Sequence, residues 1–288
     1  MGVGILMTLK LYTFCVDINR NKITTLNAQL NTLINSLDAF TKDYELILYS
    51  NYLKEFSHDK VILREYYDNA EEKYYKESDV ASWLNLSFNK LSIYYDLLNE
   101  TGDSYAWVDL DTIFCADMSY LEALDNFFIT TNGDIEKPHP IFNNNEDYVI
   151  PYKDYIQGNF WKLNYELYHS MKNVLHELNE QGLVLQYDCQ SLFNYCHYYL
   201  DYKLNLLGNN LYENTIYGLG VWSEHNEEDG NNYIKSSKVY NLKMIDGELF
   251  FMDSLKSPIH LWSFTNTSYE SLLTVKEFYK IINNLLGG

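Results

Sequence analysis

Positive charge is scarce in this chain. Against 40 Asp and Glu stand 21 Lys and Arg, a formal net charge of −19 over 288 residues. Such a surface repels phosphate backbones, so nucleic-acid partners are excluded. A phosphorylated ligand would need the local field reversed, and a divalent cation does that. Long hydrophobic runs are missing too. The longest near the start, Val3 to Met7, is far below the ~20 residues that span a bilayer. No charged start with a cleavage region marks a secretory signal. The expectation is a chain without a transmembrane segment and a cytoplasmic location. Cysteine and proline each number four. Cys15, Cys115, Cys189 and Cys196 form no C-x-x-C pair, which argues against a zinc knuckle or a disulfide framework. Cys189 and Cys196, one heptad apart, read as small core residues. No repeat, proline-rich linker or composition shift marks a domain boundary.

What is abundant is apolar material. Hydrophobic residues make up 47% and charged residues only 21%, a balance that supports a packed core and argues against disorder. Thr8 to Val16 alternates as a strand, and Asp17, Asn19 and Asn21 give a polar turn. Leu26, Leu30, Leu33, Ile34 and Leu37 form a helical stripe within 23–37. Tyr44 to Tyr49 and Lys60 to Leu63 read as strands. Ser78 is placed to cap a helix through Trp83, Phe88, Leu91, Tyr95 and Leu98, broken at Gly102. Ser104 to Val108 reads as a buried strand running into Asp109. This order predicts an α/β fold, a parallel or mixed sheet covered by helices, with ligands at the carboxyl ends of the strands. Further on the pattern is less regular. Helices are expected over 161–178, 188–200 and 269–286, a hairpin around Asp246-Gly247, and an apolar strand at Pro258 to Trp262.

The chemistry-bearing feature is Trp107-Val-Asp109-Leu-Asp111-Thr-Ile-Phe114. In a strand, residues i and i+2 face the same way, so both carboxylates could reach one hard cation. Two buried like charges would otherwise repel, and a metal removes that conflict. The same pair also suits a solvated strand end or turn, where Asp is common.

With its hydrophobic strand and the long helix before it, this motif resembles the DXD glycosyltransferases of the GT-A fold. The resemblance implies one domain over residues 1–288, with a GT-A-type Rossmann-like mixed sheet flanked by helices. Its nucleotide-binding half covers about 8–115, and a less regular half, at about 116–288, faces the acceptor and completes the metal site. It implies Mn²⁺ or Mg²⁺ held by Asp109, Asp111 and a late histidine, His260 in Pro258-Ile-His-Leu-Trp-Ser263; that histidine alone would equally suit a core. Thr13, Phe14, Asp17, Trp83 and Lys90 would border the nucleotide. Gln157, Gly158 and Asn159 would line the sugar and acceptor pocket, with Trp262 as an aromatic platform. Asp188, in a stretch similar to the family's Asp-Gln…Leu-Asn helix start, would contact the sugar or act as base, unless it only caps a helix. The implied partners are a nucleoside-diphosphate sugar, UDP-linked in preference, and a carbohydrate or other hydroxyl acceptor, as in surface polysaccharide synthesis. The late histidine and Asp188-x-Gln190 favour retention over inversion. Two other readings stand beside this one. Asp-Leu-Asp-Thr is similar to the start of haloacid-dehalogenase phosphotransferases, with Asp109 as nucleophile, although the Thr comes one place early. The acidic, aromatic-rich composition also suits a non-catalytic carbohydrate-binding protein.

Overall fold

The computed structural model describes residues 8–18, 23–41, 43–67, 79–114, 116–130, 138–151, 155–186 and 188–207; beyond these it describes only 223–225, 232–234, 242–245, 248–251, 261–263 and 284. In chain order the elements begin β1 (Leu9–Cys15), α1 (Ile23–Phe40), β2 (Tyr44–Ser50), β3 (Val61–Glu65), α2 (Asp79–Thr101), β4 (Ala106–Val108) and β5 (Thr112–Phe114). A 3₁₀ turn at Ser119–Ala123 leads to β6 (Phe127–Thr130), β7 (Pro138–Pro140), β8 (Val149–Pro151) and β9 (Ile156–Lys162). Then come α3 (Tyr165–Glu180), α4 (Asp188–Tyr198) and β10 (Leu206–Leu207). Five short strands follow: β11 (Ser223–His225), β12 (Asn232–Ile234), β13 (Leu242–Ile245), β14 (Glu248–Phe251) and β15 (Leu261–Ser263). The chain is an α/β protein with a mostly parallel central sheet flanked by helices.

Two compact units interleave along the sequence. The first comprises 1–66, 108–123 and 209–288, and the second 67–107 and 124–208. In the first unit β1 pairs in parallel with β2, and β2 with β3. Both β1 and β2 are almost wholly buried, as continuous apolar runs in a covered parallel sheet should be. The stripe on α1 is the buried one: Leu26, Leu30, Leu33, Ile34 and Leu37 all lie in the core. Ser36, on the same helix, accepts from the Phe114 amide at 3.0 Å and so ties α1 to β5. The expected hairpin is present as β13 against β14, with Ile245 opposite Glu248. The expected turn at Asn19 and Asn21 and the closing helix over 269–286 lie outside the described residues, position 284 excepted.

In the second unit β9 runs antiparallel to β6, and β10 parallel to β6. Helix α2 ends at Gly102, whose φ of +75° is costly for any residue bearing a Cβ. Tyr94, on α2, donates to the Leu163 carbonyl at 2.5 Å and anchors the helix behind β9. The structure corrects the expected helix over 161–178. Residues Ile156–Lys162 form a buried strand, and the helix starts only at Tyr165. Asn164 is the N-cap, its side chain accepting from the Leu167 amide at 2.8 Å. At the other end Gly182, with φ of +69°, and Leu183 donate to Asn179 and Leu178, the paired bonds of a Schellman cap.

Candidate active site

In the first unit the acidic pair occupies the link between β4 and β5. The strand does not continue through it. Residues 109–112 make a tight turn in which the Thr112 amide donates to the Asp109 carbonyl at 3.0 Å. The alternation argument for two carboxylates on one strand face therefore does not apply; turn geometry sets their directions. Asp109 and Asp111 are half-buried, while Leu110, Ile113 and Phe114 are buried around them. Thr112 follows directly, and its buried hydroxyl has no hydrogen-bond partner. Strand β5 pairs antiparallel with β15, Trp262 standing opposite Ile113 and Ser263 opposite Thr112. Segments nearly 150 residues apart are thus brought together beside the acidic turn. His260 lies outside the described residues, one position before β15.

At the carboxyl end of β1, Thr13 is fully buried with an unpartnered hydroxyl. Phe14 packs edge-on against Tyr49 at 5.9 Å and Tyr66 at 5.3 Å. The Asp17 backbone is clipped to the end of β2: its amide donates to Asn51 at 2.9 Å, and Asn51 donates to its carbonyl at 2.8 Å. Close by, Tyr52 donates to Asn27 at 2.8 Å, and its oxygen lies 3.0 Å from the Cys15 thiol. Burial pushes that thiol up to about 11.

In the second unit Lys90 is buried on α2, its ammonium 4.5 Å from the centre of the Trp107 ring. A buried cation is retained only with such compensation, and a tryptophan face supplies part of it. Trp83 lies seven residues earlier on the same helix. Gln157, Gly158 and Asn159 fall inside the buried strand β9, not in a turn before a helix. The Gly158 amide donates to Gln190 on α4 at 3.1 Å. Asn159 is 4% exposed, yet neither end of its side-chain amide has a partner. Burying such a group unsatisfied costs about 1–3 kcal/mol, so an amide left this way calls for a reason. Asp188 is the first residue of α4.

Sequence reasoning placed Thr13, Phe14 and Asp17 at a strand end and the acids after β4, and the structure puts them there. It missed Thr112 and the roles of Gln190 and Asn194, whose side chains bond strand backbone; no spacing rule flags an amide that binds a distant strand. Among the described residues no three His, Cys, Asp or Glu side chains cluster as a ready-made metal cage. The donor set that is described, two half-exposed carboxylates in one turn, nevertheless suits Mn²⁺ or Mg²⁺. Mg²⁺ is commonly held by one or two carboxylates and completed by substrate phosphates.

No protein-family model matches the chain, and neither does any curated protein. Solved structures do: 208 chains match. Among them is the apo structure of WbbM, a bifunctional glycosyltransferase, with a TM-score of 0.53 and 15% identity. The match covers 99% of this chain and 51% of WbbM, so the chain spans about half the length of that protein. At this identity the likeness is one of fold.

Proposed function

We propose that this chain is a metal-dependent glycosyltransferase. It moves a sugar from a nucleoside-diphosphate sugar, preferentially UDP-linked, to a hydroxyl of a glycan or other acceptor, with retention at the anomeric carbon. The observation that carries the reading is the half-exposed Asp109–Asp111 turn, set at the end of a buried strand and braced by the β5–β15 ladder. The fold shared with a bifunctional glycosyltransferase supports it.

In this account Asp109 and Asp111 hold Mn²⁺ or Mg²⁺, with His260 as the third ligand. When bound, the ion supplies Lewis-acid stabilisation of the charge that grows on the departing diphosphate. The chain's own part is positioning. The turn backbone is fixed by its own hydrogen bond and by buried neighbours, so the two acidic residues are held in place at the end of β4. Thr13, Phe14, Asp17, Trp83 and Lys90 border the nucleotide. Gln157, Gly158, Asn159 and Trp262 meet the sugar and acceptor. Asp188 contacts the sugar hydroxyls or takes the acceptor proton. The destination suggested by such a transfer is surface polysaccharide.

A panel of UDP-, GDP- and dTDP-sugars, incubated with the protein with and without Mn²⁺, tests this reading. The expected result is release of nucleoside diphosphate from one or more UDP-sugars only when Mn²⁺ is present. Release of inorganic phosphate from an aryl phosphate, abolished by Asp109→Asn, would instead establish phosphoryl transfer. Absence of turnover and of nucleotide binding, with glycan binding retained, would leave a carbohydrate-binding protein.

A further inference from the structure

Helix α1 buries a serine beside its apolar stripe. Ser36 is fully buried, as are Leu33, Ile34 and Leu37 on either side of it. A serine inside a helix is unfavourable, because its hydroxyl competes for backbone groups. Here the hydroxyl donates to the Leu33 carbonyl at 2.7 Å. With its hydrogen directed there, the oxygen is left to accept. It accepts from the Phe114 amide at 3.0 Å, 78 positions away.

Strand β5 shows what that acceptor does. It spans only Thr112–Phe114 and pairs with β15. Amides two residues apart in a strand point to the same edge. Those of Thr112 and Phe114 are such a pair, and both are bonded to groups outside β15. Thr112 donates to the Asp109 carbonyl at 3.0 Å, the bond that closes the acidic turn, and Phe114 donates to Ser36. The turn and the serine therefore hold neighbouring points on one edge of β5, while β15 takes the other. A ladder of three residues is marginal by itself. The hold from α1 is thus part of what keeps β5, and the turn that runs into it, in place. All of these groups lie within the first unit.

We propose that Ser36 is a positioning residue for the metal site: by holding the Phe114 amide it keeps the 109–112 turn in the shape in which Asp109 and Asp111 meet one divalent cation. It acts through β5 and is not itself a ligand. The cation rests on the sugar-transfer reading; the link from Ser36 through β5 to the turn does not.

The test uses the full chain as wild type, Ser36→Ala, Ser36→Thr and Leu30→Ala. Leu30 is buried on the same helix, and truncating it opens a cavity without taking an acceptor from β5. Three quantities are measured: melting without ligand, hydrogen exchange of the 109–114 backbone by mass spectrometry, and UDP binding by calorimetry over a series of Mn²⁺ concentrations, well below every melting point. Ser36→Ala is expected to melt about 3–8 °C below wild type. Its 109–114 backbone should exchange about tenfold faster, and half-maximal UDP binding should need about tenfold more Mn²⁺. Ser36→Thr keeps the hydroxyl and should recover both. Leu30→Ala should melt at least as low as Ser36→Ala, yet keep the wild-type Mn²⁺ requirement. If Ser36→Thr does not fold, the contrast between Ser36→Ala and Leu30→Ala decides alone. A wild type that needs Mn²⁺, beside a Ser36→Ala variant with the same requirement, would overturn the proposal and leave the metal reading standing. So would equal weakening in Leu30→Ala, since the effect would then be one of general stability, or a folded Ser36→Thr as impaired as Ser36→Ala. A wild type that binds UDP equally well without Mn²⁺, or not at all, would remove the metal reading and the proposal together.

Discussion

Cys15 illustrates how an individual side chain is governed by its surroundings. It closes β1, buried beneath α1, with Tyr52 as its polar neighbour. Desolvation outweighs that hydrogen bond and raises the thiol to about 11; for Cys196 burial raises it to about 12. Thiolate is the reactive form, so both should be inert in the native protein. Iodoacetamide at pH 8 followed by mass mapping should leave Cys15 and Cys196 unmodified until denaturant is added. Rapid native labelling at either would contradict the burial described. The sequence made Cys196 legible as core, because it falls one heptad from Cys189 on a helix face. It did not make Asn159 legible as a buried, unsatisfied amide. Asn-Gly-type polarity normally marks a turn, and only the register break of β9 and the partners on α4 explain its place in a strand.

Among the elements, the long periodic ones were readable. Strands β1 and β2 and helices α1 and α2 each repeat a pattern over seven residues or more, enough to separate a period of two from one near 3.6. Strands β5 to β8, of three or four residues, carry no period at all. The misread boundary at Trp161 has a specific cause. Trp161 and Leu163 extend the apolar run of the strand into the helix that follows, and only Asn164, the cap, separates them. The β7–β8 hairpin yields a pH prediction. His139 on β7 lies edge-on to Tyr155 at 4.3 Å, and burial lowers its pKa below the ordinary 6.5. The unfolded chain therefore binds its proton more readily than the folded one. The stability tied to neutral His139 is fully present above about pH 6.5 and is lost as pH falls from there toward the folded value. Urea unfolding at pH 7.5 and 5.5 should show a smaller acid-induced loss for His139→Phe, which keeps a ring against Tyr155, than for wild type. Identical losses would mean that His139 titrates alike in both states.

At the scale of the whole molecule, the net charge of −19 and the proposed substrate pull in opposite directions. A nucleoside diphosphate approaches a surface of its own sign, and two carboxylates at the candidate site worsen the repulsion. On the proposed reading, a divalent ion on the Asp109–Asp111 turn would reverse the local field and reconcile the acidic composition with a diphosphate ligand. The fold was legible because a parallel α/β sheet writes itself in long buried strands. The bracing of the acidic turn by β15 was not, since the pairing of two three-residue strands nearly 150 residues apart leaves no local signal. Calorimetric titration of UDP into wild type, Asp109→Asn and Asp111→Asn, with and without Mn²⁺, addresses the claim most directly. The account predicts Mn²⁺-dependent UDP binding in wild type and a loss of about 100-fold or more in each variant, with melting points unchanged. UDP binding of equal strength without Mn²⁺, or undiminished in both variants, would contradict it.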